Sequence, residues 1–181
     1  MRNKRIGLDL DGVLYPFPEI AYERIKKEHG LDESLLEFWA KSRKSKYFDA
    51  EISAIANDSS TYATGGISLY NIMVLKELVA MSNELFYITA RGKKHLQVTQ
   101  EWMARDGIPQ AENLYIGKHH KASLVAELGL DVFVDDREYV IKSVGKVTLA
   151  LRYFGTYMTE AYWKESPNGI SSLGELIGME I

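Results

Sequence analysis

Five short apolar runs punctuate this chain: RIGLDL at 5–10, ELFYIT at 84–89, NLYI at 113–116, DVFV at 131–134 and KVTLALR at 146–152. Each has the length of a buried strand, and each is separated from the next by a helical pattern or a turn. Leu69, Ile72, Leu75 and Val79 mark one intervening helix, and Leu96, Thr99, Trp102 and Met103 mark a second that stops at Gly107. Ala122, Val125 and Leu128 mark a third, closed by Gly129. Parallel neighbours need crossover connections of roughly a dozen residues or more, which such helices supply. The expected fold class is therefore α/β, a doubly wound parallel sheet with helices on both faces.

One stretch breaks the alternation. Between 15 and 66 there is no strand pattern; three helical candidates follow one another, Ile20 to His29, Leu35 to Arg43 after Asp32, and Ile52 to Ala56 after Asp49. This predicts a helical insert at 15–66 after the first strand, with 1–14 and 67–181 forming the α/β core. Pro16 and Pro18 stiffen the entrance and Gly65 and Gly66 give a permissive exit, as a moving lid would need. The same residues also read as ordinary loop punctuation.

At 181 residues, 20.6 kDa and 46% apolar content, the chain can bury a real core without disulfides. It has no cysteine, which excludes thiolate zinc sites, iron–sulfur clusters and cysteine nucleophiles. Its 22 basic and 25 acidic residues give a net charge of −3, without the basic excess of a duplex-coating protein. The first apolar run is broken early by Asp9, unlike a signal peptide or membrane span, so a soluble, cytoplasmic protein is expected.

Two apolar runs end in paired acids. Asp9 and Asp11 close the first, and Asp135 and Asp136 close the fourth. In open α/β sheets ligands bind outside the carboxyl ends of the strands where the strand order reverses, so these acids converge if the two strands are neighbours. Two like charges ~4 Å apart repel by ~4 kcal/mol at an effective dielectric of about 20, so the cluster calls for a cation. Oxygen ligands with few histidines nearby favour Mg²⁺. Acids at strand ends are also frequently plain solvated loop residues. Thr89 ends another strand, where its hydroxyl and the following backbone N–H groups can hold an anion. Lys121 opens a helix, a position that suits a cation only if it faces a negative partner.

In this order, DLDGVL, a strand ending in Thr89, then Lys121, then VFVDD, the motifs resemble those of the haloacid dehalogenase superfamily of aspartate-nucleophile phosphatases, from Ile6 to about Leu151. The insert is similar to a small C1-type cap. More narrowly, DLDGVL, YITAR, GKHHKASLV and VFVDDR resemble the 5'(3')-deoxyribonucleotidase-like group, including bacterial and phage-type members. The resemblance implies that Asp9 attacks phosphorus and forms an aspartyl-phosphate, while Asp11 serves as acid and base. It implies Mg²⁺ held by Asp9, Asp11 through its backbone carbonyl, and Asp135, with Asp136 orienting metal waters. Thr89, the Ala90 backbone and Lys121 would hold the phosphoryl group.

Other assignments stay open. Lys118 lies close to Lys121 but falls in the turn before the helix. His119 and His120 read as exposed residues or as phosphate partners. Arg91 and Arg137 follow two of the motifs and suit phosphate or base edges, or surface ion pairs. Tyr15 and Phe17, near the mouth of the site, are candidates for base stacking, whereas Phe38 and Trp39 read as packing for the insert. Lys41, Arg43, Lys44 and Lys46 form a basic run, either a solvated face or a guide for anionic substrates.

The resulting expectation is a monomeric or weakly dimeric, Mg²⁺-dependent phosphomonoesterase acting on nucleoside monophosphates. The alternatives are a 3'-phosphatase on polynucleotide ends, a sugar-phosphate phosphatase, and a non-catalytic nucleotide- or metal-binding module of the same fold. No membrane partner is expected, and nucleic acid enters only as a phosphorylated strand end. A receiver-type phosphoacceptor is disfavoured by the size of the insert and the order of the motifs.

Overall fold

The computed structural model of the chain describes residues 1–155, 157–158 and 168–180, without the side chains of 43–45. The strands β1 (Arg5–Leu8), β2 (Glu84–Thr89), β3 (Leu114–Ile116), β4 (Val132–Asp135), β5 (Leu149–Tyr153) and β6 (Gly169–Ile170) form one sheet in the order β3-β2-β1-β4-β5-β6. Every neighbouring pair is parallel. The five apolar runs supply five of these strands. The sixth is two residues long, too short for any periodicity to reveal.

Between β1 and β2 lie α1 (Phe17–His29), α2 (Leu35–Ser45), α3 (Asp49–Asn57), α4 (Thr61–Thr64) and α5 (Leu69–Ala80). Then follow α6 (Leu96–Arg105), α7 (Lys121–Glu127), α8 (Glu138–Val144) and, after β6, α9 (Glu175–Gly178). Successive residues of a strand face opposite sides of the sheet, and here each side meets its own helices. Ile6, Leu8, Leu85, Tyr87, Val132 and Val134 pack in one cluster with α5 and α6. Phe86, Ile88 and Phe133 pack in another with Leu124 and Val125 of α7 and Val140 and Val144 of α8. The doubly wound architecture follows from that division.

The insert has a small core of its own, in which Tyr22, Ile25 and Phe38 are buried among Leu31, Leu35, Tyr47, Phe48 and other partly buried residues. Its second helix starts at Leu35 as expected and runs on to Ser45, and its cap is Ser34, which forms a reciprocal capping box with Glu37. The exit is more constrained than its glycines suggest. A Cβ on Gly65 would lie 2.4 Å from the Tyr15 ring. The Tyr15 hydroxyl donates to Thr61 O at 2.5 Å and accepts from the Gly65 N–H at 2.9 Å, so the two ends of the insert are stitched together. Gly65 therefore permits a close approach rather than a loose turn.

After Leu151, β6 extends the sheet edge and Leu176 of α9 enters the larger core cluster. The segment GTYMTEAYWKES at 155–166 lies mostly outside the described residues. No described helix is long and apolar enough to cross a membrane.

Candidate active site

The strand order reverses at β1, which lies between β2 and β4, so the carboxyl ends of these three strands open onto one crevice. Asp9 extends β1 by one residue and donates its backbone N–H to Val134 O at 2.9 Å. Asp135 is the last residue of β4 and Asp136 follows it. Ligand oxygens of Asp9, Asp135 and Asp136 all lie within 4.8 Å of one another, and all three residues are buried.

Lys121, the first residue of α7, is buried beside them, with Nζ 2.7 Å from Asp9 Oδ1 and 2.7 Å from Asp135 Oδ2. Asp135 Oδ1 accepts the Arg137 backbone N–H at 2.8 Å, so both its oxygens are engaged. Asp136 Oδ2 accepts the Tyr157 hydroxyl at 2.7 Å, while its buried Oδ1 has no hydrogen-bond partner among the described residues. Gly12 makes this packing possible: its φ is +85°, and a Cβ there would meet the Tyr157 hydroxyl at 2.5 Å and Asp136 Oδ2 at 3.0 Å.

Burial pushes the Asp9 carboxyl up to about 6; Lys121 opposes this, and Asp135 and Asp11 add to it. Burial also raises Asp135 against Lys121, and raises Asp136 with help from Asp9. Burial disfavours the Lys121 ammonium, yet Asp9 and Asp135 hold it above the usual lysine range. Even with the Lys121 ammonium and the Arg137 guanidinium set against them, three carboxylates leave an excess of negative charge among buried groups. With only oxygen donors and one buried oxygen unpartnered, the residues fit a hard divalent cation.

Thr89 closes β2 and is buried, and its Oγ1 accepts the Arg91 backbone N–H at 3.2 Å. Asp9, Asp11, Thr89, Ala90 and Lys121 line a small cavity of about 20 Å³, which His119 also borders. Lys118 and His120 are exposed. The sequence-predicted residues of four separate segments thus meet around one small space.

A larger cavity, of about 710 Å³, adjoins it through Asp11, Arg137 and Tyr139, which line both. Its walls combine Phe17, Trp39 and Ser42 of the insert with Asp136, Arg152 and Tyr157. Phe17 is thus at the cavity as expected. Trp39 contributes to the insert core but also faces this space, beyond the packing role expected for it. The Ser42 hydroxyl is buried without a hydrogen-bond partner among the described residues.

Two expected substrate contacts are elsewhere. Tyr15 is only 1% exposed, held in the hinge of the insert, where no base can reach its ring. Arg91 is 4% exposed, and its guanidinium is spent on Asp11. Nε stands 3.1 and 3.0 Å from the two Asp11 oxygens and Nη2 stands 2.7 Å from Oδ1. The Asp11 carboxylate consequently faces Arg91 and is not part of the acidic trio. In the basic run, Lys41 pairs with Glu33, while the side chains of Arg43 and Lys44 are outside the described residues. Sequence reading missed Tyr157 altogether, because one tyrosine in an unpatterned segment carries no signal until the fold places it against Asp136.

No family model matches this chain. A Bacillus cereus protein named "Putative nucleotidase" is 32% identical over 81 residues, 42% of this chain and 43% of its own. A Halalkalibacterium halodurans protein of similar name is 27% identical over 151 residues, 75% of this chain and 71% of its own. The first two curated relatives are matched over less than half their length. Among solved structures, a haloacid dehalogenase-like family hydrolase from Streptococcus pneumoniae aligns with a TM-score of 0.60 at 15% identity, over 97% of both chains. A HAD family hydrolase from Deinococcus radiodurans with bound phosphate and sodium aligns with a TM-score of 0.61 at 16% identity, over 96% of this chain and 93% of its own. The chain has the haloacid dehalogenase-like α/β fold.

Proposed function

We propose that this chain is a Mg²⁺-dependent phosphomonoesterase that hydrolyses nucleoside monophosphates, with Asp9 as nucleophile. The observation that carries the reading is the convergence of Asp9, Asp135 and Asp136 within 4.8 Å, with an unpartnered buried Asp136 oxygen beside the cavity lined by Thr89 and Lys121. Asp9, Asp136 and the backbone of Asp11 would hold the metal, with Asp135 steadied by Lys121. When bound, the cation supplies positive charge to phosphoryl oxygens and offsets the repulsion among the acids.

The chain's own groups account for the remaining chemistry. An Asp9 oxygen bonds to phosphorus as the ester P–O bond breaks, and a protonated Asp11 gives its proton to the departing alkoxide. Water then attacks the aspartyl-phosphate, giving its proton to Asp11; the bond from Asp9 to phosphorus breaks and phosphate leaves. Thr89 Oγ1 and Lys121 Nζ donate to phosphoryl oxygens, on which the charge of a phosphoryl transition state is spread. The insert and core together define the leaving-group space. Its rings at Phe17, Trp39 and Tyr157 and its unpartnered Ser42 hydroxyl suit a flat, polar-edged group, which favours a nucleoside over a bare sugar.

The test is phosphate release with Mg²⁺ from deoxy- and ribonucleoside monophosphates, sugar phosphates and 3'-phosphorylated oligonucleotides. Nucleotides are expected to give the highest kcat/KM, and chelation or Asp9→Asn to abolish turnover. Metal-dependent turnover that survives Asp9→Asn would sink the mechanism. A preference for sugar phosphates would sink the substrate assignment.

A further inference from the structure

Arg91 is an unusual expenditure of charge. Its side chain is fully buried, and a buried cation is costly unless paired and hydrogen-bonded. Here Nη1 donates to Thr99 Oγ1 at 3.1 Å, the Nε and Nη2 edge takes Asp11, and three rings stand around the guanidinium. Tyr62 lies at 4.1 Å, Tyr15 at 4.6 Å and Trp102 at 5.2 Å from it. Tyr15 lies at the entrance of the insert, Tyr62 at its exit and Trp102 on α6. The fork is also uneven. Asp11 Oδ1 takes the short Nη2 contact and shares Nε, whereas Oδ2 has only the 3.0 Å contact with Nε.

Resting on the reading of Asp11 given under Proposed function, we propose that Arg91 is a positioning residue for the acid step. It anchors Asp11 through Oδ1, leaves Oδ2 as the oxygen that carries the proton to the leaving group, and ties that aim to both ends of the insert through the Tyr15–Tyr62–Trp102 cage. Arg91 itself touches neither phosphate nor nucleoside. Lysine cannot replace it, because a point-like ammonium has neither the fork nor the flat faces.

The measurement is kcat/KM for two esters, since this ratio reports only the steps through departure of the first leaving group. A nucleoside monophosphate expels an alkoxide that needs a proton; p-nitrophenyl phosphate expels a phenolate that does not. Arg91→Lys is expected to lower kcat/KM for the nucleotide by about 100-fold, within the range of acid catalysis, and for the aryl ester by less than about threefold. Asp11→Asn should show the same selectivity, and the double variant should lose little more than Asp11→Asn alone, as groups acting as one unit do. Tyr62→Leu, which removes one wall of the cage from the insert side, should give the same pattern more weakly, and it serves where Arg91→Lys fails to fold.

Equal losses on both esters in Arg91→Lys, or in Tyr62→Leu where that variant stands in, would overturn the inference and leave the Asp11 reading intact, provided that Asp11→Asn discriminates. If Asp11→Asn itself affects both esters equally, the assignment of Asp11 falls and the inference falls with it.

Discussion

The neighbouring acids Asp135 and Asp136 divide two duties that the sequence motif leaves indistinct. Asp135 spends both oxygens inside the protein, on Lys121 and on the Arg137 N–H, while Asp136 keeps Oδ1 unpartnered. Asp136→Asn is therefore expected to weaken Mg²⁺ binding, measured by calorimetry, by at least about 10-fold while changing Tm little. Asp135→Asn breaks a buried ion pair and should cost about 3 kcal/mol in chemical denaturation. The reverse ranking of the two variants would show that the hydrogen-bond pattern misassigns them. The sequence supplied the acids, Thr89 and Lys121 by type and order. It did not supply their hydrogen-bond partners, because a partner such as Tyr157 or Arg91 is chosen by three-dimensional proximity and not by spacing along the chain.

Among the elements, the turn after β1 and the exit of the insert are both tightly constrained. Gly12→Ala forces a left-handed residue to carry a Cβ against Tyr157 and Asp136, so both Tm and Mg²⁺ affinity should fall together. At the exit, hydrogen bonds from the Ser60 side chain and backbone, with Arg24 adding, hold Asp58 down at about 2. A depressed acid stabilises the fold above its unfolded value of ~3.9 and loses that contribution as pH falls through the folded one. Asp58→Asn should therefore lower Tm at pH 7, with the gap to the parent narrowing from about pH 4 downward and vanishing only below about pH 2; a gap at pH 2 as large as that at pH 7 would refute the linkage. Helices with a clear apolar stripe, α5, α6 and α7, were legible. The four-residue α4 was not, since one turn offers no periodicity, and α8 was passed over although Val140, Ile141 and Val144 carry helical spacing.

At the scale of the molecule, the reaction proposed above would divide between the two cavities, with phosphoryl handling in the small one at the strand ends and leaving-group recognition in the large one between insert and sheet. Trp39→Ala should accordingly lower kcat/KM for nucleoside monophosphates by about 10-fold, a loss of roughly one stacked ring, yet leave acetyl phosphate hydrolysis within about twofold. Equal losses on both would mean that Trp39 acts through folding of the insert. The sequence by itself determined the parallel α/β core, the helical run between the first two strands and the polar residues that end the strands, because strand length, helical period and strand-end residue type are local properties. Only the tertiary structure decided that Asp11 faces a caged arginine, that Tyr15 is a hinge clasp and that Asp136 keeps an open oxygen. Those outcomes depend on which distant side chains the packing brings within hydrogen-bond reach.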